Sequence, residues 1–330
     1  MTSPDGSLLS CYTASIAESL HRRGADWLAV IGLSSVVAVR PQGRLFAFAH
    51  HMPSLRALAA PGLRRAGTSE PTAMVAGLQA TLAACGHVIA VADAGSLPWT
   101  AALRGRCVPH WLVIDDQANR RWHVTDRFSA PVGQAPHHPW QGWVGQDDLI
   151  GLLRLSSLAP EQILRERLAF GDEEPAHLHG CFQWYAGGVL PEEHRYQVSP
   201  PAGRISPADG WLLGPDAVAA LASYFTRPAP DQRADGYCQA DDLWVASRHR
   251  KLRAIALGQV LASGDPRLAA AQALSRAWQR VPMVAQYAAE AAARGRDKSS
   301  TLASVLADVA EAEAADALVQ GKESHDQPIR

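Results

Sequence analysis

The sequence has little that would direct a protein to a membrane, to nucleic acid or out of the cell. Its 330 residues carry a formal net charge of −1, so no general attraction to nucleic acid is expected. The longest apolar stretch, 27–39, is interrupted by two serines and is too short to cross a bilayer. Residues 1–10 contain neither the basic nor the apolar segment of a signal peptide. We therefore expect a cytoplasmic protein without nucleic-acid or membrane partners.

Cysteine is scarce as well. The five cysteines are Cys11, Cys85, Cys107, Cys181 and Cys238. Their number is odd and no two form a Cys-x-x-Cys pair, which argues against a disulfide framework and against a redox or metal pair. The P-loop, dinucleotide-binding, Gly-x-Ser-x-Gly and His-Glu-x-x-His motifs are also absent. Each cysteine is therefore interpreted as a separate thiol.

What is present is the composition of an ordinary globular protein, with 47% hydrophobic and 19% charged residues. The length exceeds that of one average domain, and the patterns change near the middle of the chain. We predict an α+β fold with two domains. Residues 1–150 are expected to combine helices with an antiparallel sheet, and residues 151–330 to be mainly α-helical.

Local patterns predict individual elements of the first domain. Small and apolar residues at helical spacing predict a helix over 11–23, with Ser10 as its N-cap and Cys11 at its first position. Segment 27–33 is ambiguous between strand and loop. The other patterns predict a hairpin over 36–49, a helix over 72–84 and a buried strand over 87–92.

The second domain follows a loop-rich junction at 129–148, in which Trp140 and Trp143 are expected to dock. Helices are predicted from Asp241 or Asp242 to about 262, from Asp265-Pro266 onward, and from Ser299 or Ser300 to a point before Gly321. Pro282 is expected to split or kink the middle helix.

A second hairpin, over 110–126, carries the polar residues of greatest interest. With a turn centred on Ala118, antiparallel pairing sets Ile114 opposite Trp122, Leu112 opposite Val124 and His110 opposite Asp126. All six side chains then share one face, and the two apolar pairs make that face the buried one. The hairpin therefore predicts an imidazole with an orienting carboxylate at its open end. It lacks only a nucleophile.

Cys11 is the candidate nucleophile. The positive end of a helix dipole favours the thiolate form of a cysteine at the first helical position. His110 within hydrogen-bond reach would stabilise that thiolate, and Asp126 would fix the tautomer of the imidazole. Each residue alone also has a structural explanation, as a core cysteine, a strand-end histidine and a turn aspartate. Their combination, in the order cysteine, histidine and acid that papain-like enzymes have, favours a catalytic triad.

Four segments of the first domain, together with the early cysteine helix, resemble the N-terminal domain of the butirosin biosynthesis protein H family. The segments are Gly86-His-Val-Ile-Ala-Val, Leu97-Pro-Trp99, Pro109-His-Trp-Leu-Val-Ile and Val124-Thr-Asp126. A weaker resemblance extends to the helical region at Leu243-Trp244, Arg248–Leu252, Ala277-Trp278 and Tyr287-Ala-Ala-Glu290. The resemblance therefore covers most of the chain.

This resemblance implies a fold similar to that of papain-like and C39-type cysteine peptidases, with 1–150 as the catalytic domain. Residues 151–330 would provide a substrate pocket, a docking surface for the carrier protein or a dimer interface. Formation of a homodimer is one of the alternatives left open. The family moves an acyl group from the phosphopantetheine thioester of a carrier protein to an amine on a natural product. By resemblance, Cys11 would carry the acyl group, His110 would act as base and acid, and Asp126 would orient it.

The partners implied by the resemblance are an acyl or peptidyl carrier protein and a small amine. No cofactor is implied beyond the phosphopantetheine that the carrier brings. One departure concerns the oxyanion hole, for which papain-like enzymes usually have a glutamine or asparagine several residues before the cysteine. Residues 1–10 contain neither, so a second oxyanion donor is not identified.

The ten tryptophans are interpreted first as packing anchors and second as the walls of an acyl pocket. Trp99 and Trp111 flank His110 in sequence, and Tyr12 follows the nucleophile. We predict that these three residues, Tyr12, Trp99 and Trp111, bind the substrate.

Three further clusters have weaker functional interpretations. The basic run 248–253 is either a solvated helix face or, through Arg248, Arg250 and Lys251, a dock for an acidic carrier protein or a phosphate. His177, His179 and Cys181 have the spacing of ligands on one strand face, but alternating polar residues of an exposed strand explain them without zinc. His137-His138 is interpreted as a solvated loop pair. We predict no metal site.

The sequence thus predicts a cysteine-dependent acyltransferase of specialised metabolism with a Cys11-His110-Asp126 triad. Two alternatives stay open. A thioesterase or peptidase would use the same triad for hydrolysis, and a non-catalytic binding or scaffold protein would retain only the fold. The missing oxyanion amide favours the second alternative. The sequence names neither the acyl group nor its acceptor.

Overall fold

The computed structural model describes residues 3–51, 64–100, 107–130, 137–155, 158–170, 182–186, 205–227 and 236–323. It combines α-helices with antiparallel sheets, which confirms the α+β class. The chain forms two compact units, one made of 1–31 and 51–202 and the other of 32–50 and 203–330. The boundary therefore differs from the predicted division at 150, because a strand at 182–186 belongs to the main sheet of the first unit.

The elements are numbered here in chain order. The helices are α1 (Cys11–Arg22), α2 (Trp27–Ser34), α3 (Pro71–Cys85), α4 (Gln146–Leu152), α5 (Pro160–Phe170), α6 (Gly214–Phe225), α7 (Ala240–Val260), α8 (Pro266–Trp278), α9 (Val281–Ala293) and α10 (Ser299–Glu323). The strands are β1 (Ala38–Gln42), β2 (Leu45–Phe48), β3 (Arg64–Thr68), β4 (Val88–Asp93), β5 (Pro109–Ala118), β6 (Arg121–Asp126), β7 (Trp140–Gly145), β8 (Phe182–Ala186) and β9 (Leu212–Leu213).

The first unit is built on a six-stranded antiparallel sheet with the order β3-β8-β4-β5-β6-β7. One face of this sheet forms a core with α3 and α4, in which Leu112 and Trp122 are fully buried. The packing is close, since a Cβ on Gly77 of α3 would lie 2.4 Å from the ring of Trp184. Helix α1 packs against β4 and β5. This arrangement brings the start of α1 towards the start of β5.

The turn of the β5–β6 hairpin differs from the predicted one. Asn119 and Arg120 form its tip with φ values of 50° and 58°, which a two-residue type I′ turn requires at both positions. A bulge after Ile114 then shifts the register, so that Ile114 lies opposite Val124 rather than Trp122. The predicted register is wrong because it assumed a turn centred on Ala118 without a bulge.

The predicted buried face is nevertheless correct. Leu112, Ile114, Trp122 and Val124 all lie in one core cluster. Near the turn the pairing is offset by three residues from the predicted one, with Gln117 opposite Trp122. Beyond the bulge the offset is two residues, an even number that keeps the same side chains on one face. The side chains that were expected to share a face therefore do so.

Most of the other local predictions for the first unit hold, with shifted ends. Ser10 caps α1 in a capping box with Thr13, and Gly86, with a φ of 73°, ends α3. Segment 27–33 is helical, because Asp26 accepts a hydrogen bond from the backbone N–H of Ala29 and so caps α2. The junction at 129–148 is less irregular than expected, since it contains β7 and the start of α4.

The second unit contains most of the helices that were predicted after the junction. Its three-stranded sheet has the order β2-β1-β9, and its core lies among this sheet, α6, α7, α8, α9 and α10. Asp265 caps α8 through the N–H of Arg267, and Pro282 lies in the first turn of α9, where it separates α9 from α8. Within the described ranges, no helix is both long enough and apolar enough to cross a membrane.

Candidate active site

Cys11 is the first residue of α1 and its side chain is half-buried. The capping box uses the N–H of Thr13, which donates to the Ser10 hydroxyl at 3.1 Å, and the N–H of Ser10, which donates to Thr13 Oγ1 at 2.9 Å. The first N–H groups of an α-helix, here those of Cys11 and Tyr12, have no acceptor within the helix. Cys11 therefore combines a thiol with backbone donors at the positive end of a helix.

His110 connects this thiol to a carboxylate. Its side chain is buried, its Nε2 lies 2.8 Å from Asp126 Oδ2, and the Cys11 side chain is near enough to contribute to its pKa. Because the carboxylate engages Nε2, Nδ1 is the nitrogen left for the thiol. Of the three residues predicted as catalytic, His110 and Asp126 are therefore bonded to each other, and Cys11 lies near His110.

The surroundings of His110 hold a proton on its ring. Burial works to lower the pKa of His110, but the charge of Asp126, the hydrogen bond to it and, to a smaller extent, the interaction with Cys11 together raise the pKa to about 10. The imidazole is therefore protonated at neutral pH. A protonated imidazole beside a thiol is the counterion that a thiolate needs.

Asp126 is fully enclosed and accepts four hydrogen bonds. Its Oδ2 accepts from Trp99 Nε1 at 2.8 Å, His110 Nε2 at 2.8 Å and His137 Nε2 at 2.9 Å, and its Oδ1 accepts from the N–H of Phe128 at 3.0 Å. Burial works to raise the pKa of Asp126, but His110 and then His137 outweigh it and hold the pKa below its usual range. The carboxylate therefore stays ionised and fixed in orientation.

His137 was not predicted as part of this site. The expected solvated loop pair is wrong for His137, which is 8% exposed, and fits only His138, which is exposed. The ring of His137 stacks on that of His110 with centroids 5.0 Å apart and an angle of 28° between the planes. Its backbone exchanges two hydrogen bonds with Ala130. No local pattern marks this residue, because its partner Asp126 lies 11 residues away on β6.

Of the predicted substrate-binding residues, Trp99 reaches the Asp126 carboxylate. Its ring stacks on that of Trp140 with centroids 3.9 Å apart and planes 5° apart, and its Nε1–H donates to Asp126. Trp99 therefore helps to hold the acid. Trp140 docks as expected, whereas Trp143 remains 39% exposed.

Tyr12 and Trp111 form a separate buried group. Trp111 lies on the face of β5 opposite to that of Leu112, by the alternation of strand side chains. The two rings meet edge to face with centroids 5.0 Å apart, and Trp111 Nε1–H donates to Glu166 Oε1 at 3.1 Å. Burial, and secondarily the charge of Glu166, raises the pKa of Tyr12 well above its usual value. Their predicted role in substrate binding stays a prediction.

The basic run of α7 is not a solvated face. Arg250 is buried and pairs with both carboxylate oxygens of Glu313 at 2.9 and 2.8 Å. Arg248 is also buried, with its guanidinium 3.5 Å from the ring centroid of Trp244. The prediction that these two arginines dock a carrier protein is therefore wrong, because their charges are used inside the second unit. Lys251 is exposed, and its docking role stays a prediction.

A metal ion could be held by His110, Asp126 and His137, whose ligand atoms lie within 4.8 Å of one another. The spacing fits hydrogen bonds better, since both Nε2 atoms lie 2.8–2.9 Å from the same oxygen, which also accepts the N–H of Trp99. A cation would have to displace these protons. The other metal-ligand cluster considered, His177, His179 and Cys181, lies outside the described residues.

Comparison with known proteins does not assign a family or a function to this site. No protein-family model matches the chain, and a search of curated proteins finds no match. The case for a function therefore depends on the geometry of Cys11, His110 and Asp126 and on the sequence resemblance described above.

Proposed function

We propose that this protein is a cysteine-dependent acyltransferase of natural-product biosynthesis with a papain-like catalytic unit, in which Cys11 carries the acyl group. The observation that supports this most strongly is the position of His110, which is bonded to the Asp126 carboxylate through Nε2 and lies near enough to Cys11 for the two to interact. A helix-borne cysteine beside an antiparallel sheet that carries the histidine is the arrangement of papain-like enzymes. The sequence resemblance narrows the donor to a carrier-protein thioester and the acceptor to an amine.

In the first step, the thiolate of Cys11 attacks the carbonyl carbon of the thioester. The bond between that carbon and the phosphopantetheine sulfur breaks, and the departing thiolate takes the proton of the His110 imidazolium. The products are an acyl group on Cys11, a free phosphopantetheine thiol and a neutral His110. The backbone N–H of Cys11 supplies one donor to the oxyanion of the tetrahedral intermediate.

In the second step, the nitrogen of the amine attacks the acyl group on Cys11. His110, now neutral, takes the amine proton, and the Cys11 sulfur leaves as a thiolate. The sum of both steps converts a thioester and an amine into an amide and a thiol, and it returns the enzyme to its starting protonation state. Asp126 stays ionised throughout and holds the imidazole in place.

The raised pKa of His110 predicts the alkaline limit of this cycle. The proton donated to the leaving thiolate is present below the pKa of His110 and lost above it. Since that pKa is raised to about 10, acyl transfer should persist above neutral pH and fall as the pH rises through about 10. Initial rates with a fixed concentration of acyl-pantetheine, measured across the alkaline range, check this. A fall centred near the ordinary histidine value of about 6.5 would contradict it.

Intact-mass measurement with acyl-pantetheine thioesters tests the proposal. The wild type and C238A, which removes an exposed thiol, should gain one acyl mass, and C11A should gain none. Addition of an amine should discharge the acyl-enzyme and yield the amide. Release of the free acid alone, with or without the amine, would make the protein a hydrolase with the same triad. An adduct that survives in C11A, or no adduct with any thioester, would overturn the proposal.

A further inference from the structure

We propose that His137 is a positioning residue of this site, which holds the Asp126 carboxylate so that the His110 ring stays directed at Cys11. The inference rests on the proposed function and adds a residue to its machinery. His137 contacts Asp126 by a hydrogen bond and His110 by ring stacking, so it acts through these two residues and not on the substrate.

The geometry places one carboxylate oxygen between two imidazoles. Oδ2 of Asp126 lies 2.8 Å from Nε2 of His110 and 2.9 Å from Nε2 of His137. The backbone N–H of His137 donates to Ala130 O at 2.8 Å, and the N–H of Ala130 donates to His137 O at 2.9 Å. Phe128 meets both rings edge to face, with centroids 5.6 and 5.0 Å away. His137 is therefore itself held from two sides while it holds the carboxylate.

The carboxylate needs this restraint because, among the residues that the structure describes, Asp126 is the one acceptor bonded to His110 Nε2. A carboxylate can turn part of the way about its last side-chain bond. In Asp126 such a turn would break the bonds from His110, His137 and Trp99 at once. Removing the donor of His137 leaves a buried oxygen with fewer partners, which favours another orientation of the carboxylate or entry of water. His110 would follow that movement and lose its alignment with the thiol.

Two substitutions of His137 separate this role from simple packing. Glutamine can place an amide N–H near the position of Nε2, whereas asparagine is one methylene shorter and cannot reach Asp126. Both variants are polar and smaller than histidine, so their effects on packing are similar. W99F serves as a matched control, because it removes another donor to the same oxygen and keeps an aromatic ring against Trp140.

The readout is the pH dependence of iodoacetamide alkylation at Cys11, followed by peptide mass. An ordinary thiol has a pKa of about 8.5, so reactivity near pH 6 reports the ion pair with His110, and reactivity near pH 9.5 reports any accessible thiol. H137N should lower the rate near pH 6 about tenfold, which is the size expected for the loss of one hydrogen bond to a charged group. It should leave the rate near pH 9.5 unchanged. H137Q should restore most of the rate, and W99F should also lower the rate near pH 6 selectively.

The possible results distinguish this inference from the proposed function. If the wild type reacts rapidly near pH 6 and H137N does so equally, the positioning role is overturned and the proposed function stands. If H137N and H137Q lose reactivity equally at every pH, the role of His137 is packing alone. If the wild type itself reacts near pH 6 like an ordinary thiol, the proposed function fails and this inference fails with it. If the purified wild type contains zinc and H137Q does not, the positioning role is overturned, and His137 is instead a metal ligand.

Discussion

Asp126 in the first unit and Glu313 in the second are both buried carboxylates that accept the N–H of a tryptophan. Their remaining partners differ. Glu313 binds Arg250 through two hydrogen bonds, and arginine keeps its proton at any ordinary pH. Asp126 binds two histidines, which can give up a proton. The arginine pair can therefore only hold the structure together, whereas an imidazole such as that of His110 can also take part in acid–base chemistry.

Removal of His110 should have the largest effect and separate chemistry from stability. H110A should lower the rate of acyl transfer by roughly a thousandfold, because it removes both the counterion of the thiolate and the proton donor. Single-turnover kinetics with acyl-pantetheine measure the effect, and thermal unfolding tests whether the variant remains folded. If H110A is folded and has the rate of the wild type, the proposed catalytic role of His110 is contradicted, and with it the role of Asp126 in orienting His110.

Removal of Arg250 should have the largest effect on stability. R250M leaves the buried carboxylate of Glu313 without its counterion, and we expect a loss of about 3–5 kcal/mol in the free energy of unfolding. The loss should be similar near pH 6 and near pH 9, because arginine stays charged over this range. Urea unfolding at both pH values checks this. A loss under about 1 kcal/mol would show that Glu313 finds other partners or takes up a proton.

His87 is a buried histidine whose partner is a hydroxyl, and its pKa is lowered rather than raised. Its Nε2 lies 2.7 Å from Ser19 Oγ, and burial, together with the charges of Arg23 and Arg22, lowers its pKa to about 4. A histidine with a lowered pKa stabilises the fold fully above its unfolded value of about 6.5, and this stabilisation is lost as the pH falls towards 4. Acidification over that range should cost up to about 3 kcal/mol through His87.

The variant H87Q tests this contribution, since glutamine can keep a bond to Ser19 and does not titrate. Its free energy of unfolding should fall less than that of the wild type between about pH 6.5 and pH 4. Chemical unfolding at several pH values in this range gives the comparison. Parallel curves for the two proteins would mean that another group causes the acid sensitivity.

The smallest effect is expected for the exposed pair of Arg280 and Asp308, whose atoms lie 3.0 Å apart with both side chains more than half exposed. R280A should change the free energy of unfolding by less than about 0.5 kcal/mol, because water screens the pair. It is the control for R250M, since both variants remove an arginine from an ion pair. A loss as large as that of R250M would show that burial does not explain the difference between the two pairs.

The parts of the candidate site that the sequence predicted depend on local rules. Capping and helical spacing place Cys11 at the start of α1, and strand alternation places His110 and Asp126 on the buried side of their strands. The contact between His110 and Asp126 was correctly predicted from a wrong register. This was possible because beyond the bulge the true register differs from the predicted one by two residues, which leaves the same side chains facing the core.

The parts that were missed depend on residues far apart in the chain. The bulged residue Asp115 is held by His123, Thr125 and Arg22, and the last of these comes from α1. Arg250 looked like a solvated charge because its partner Glu313 lies in another helix. A run of basic residues has the same pattern in sequence whether or not such a partner exists.

The sequence by itself determined the α+β class, the capped helix that begins at Cys11 and the buried face of the hairpin that carries His110 and Asp126. These follow from hydrogen bonding and burial within a few residues of one another. Only the tertiary structure decided the bulged register, the burial of Arg250 and the addition of Trp99 and His137 to Asp126. A buried carboxylate must find enough donors, but which donors reach it depends on the path of the whole chain.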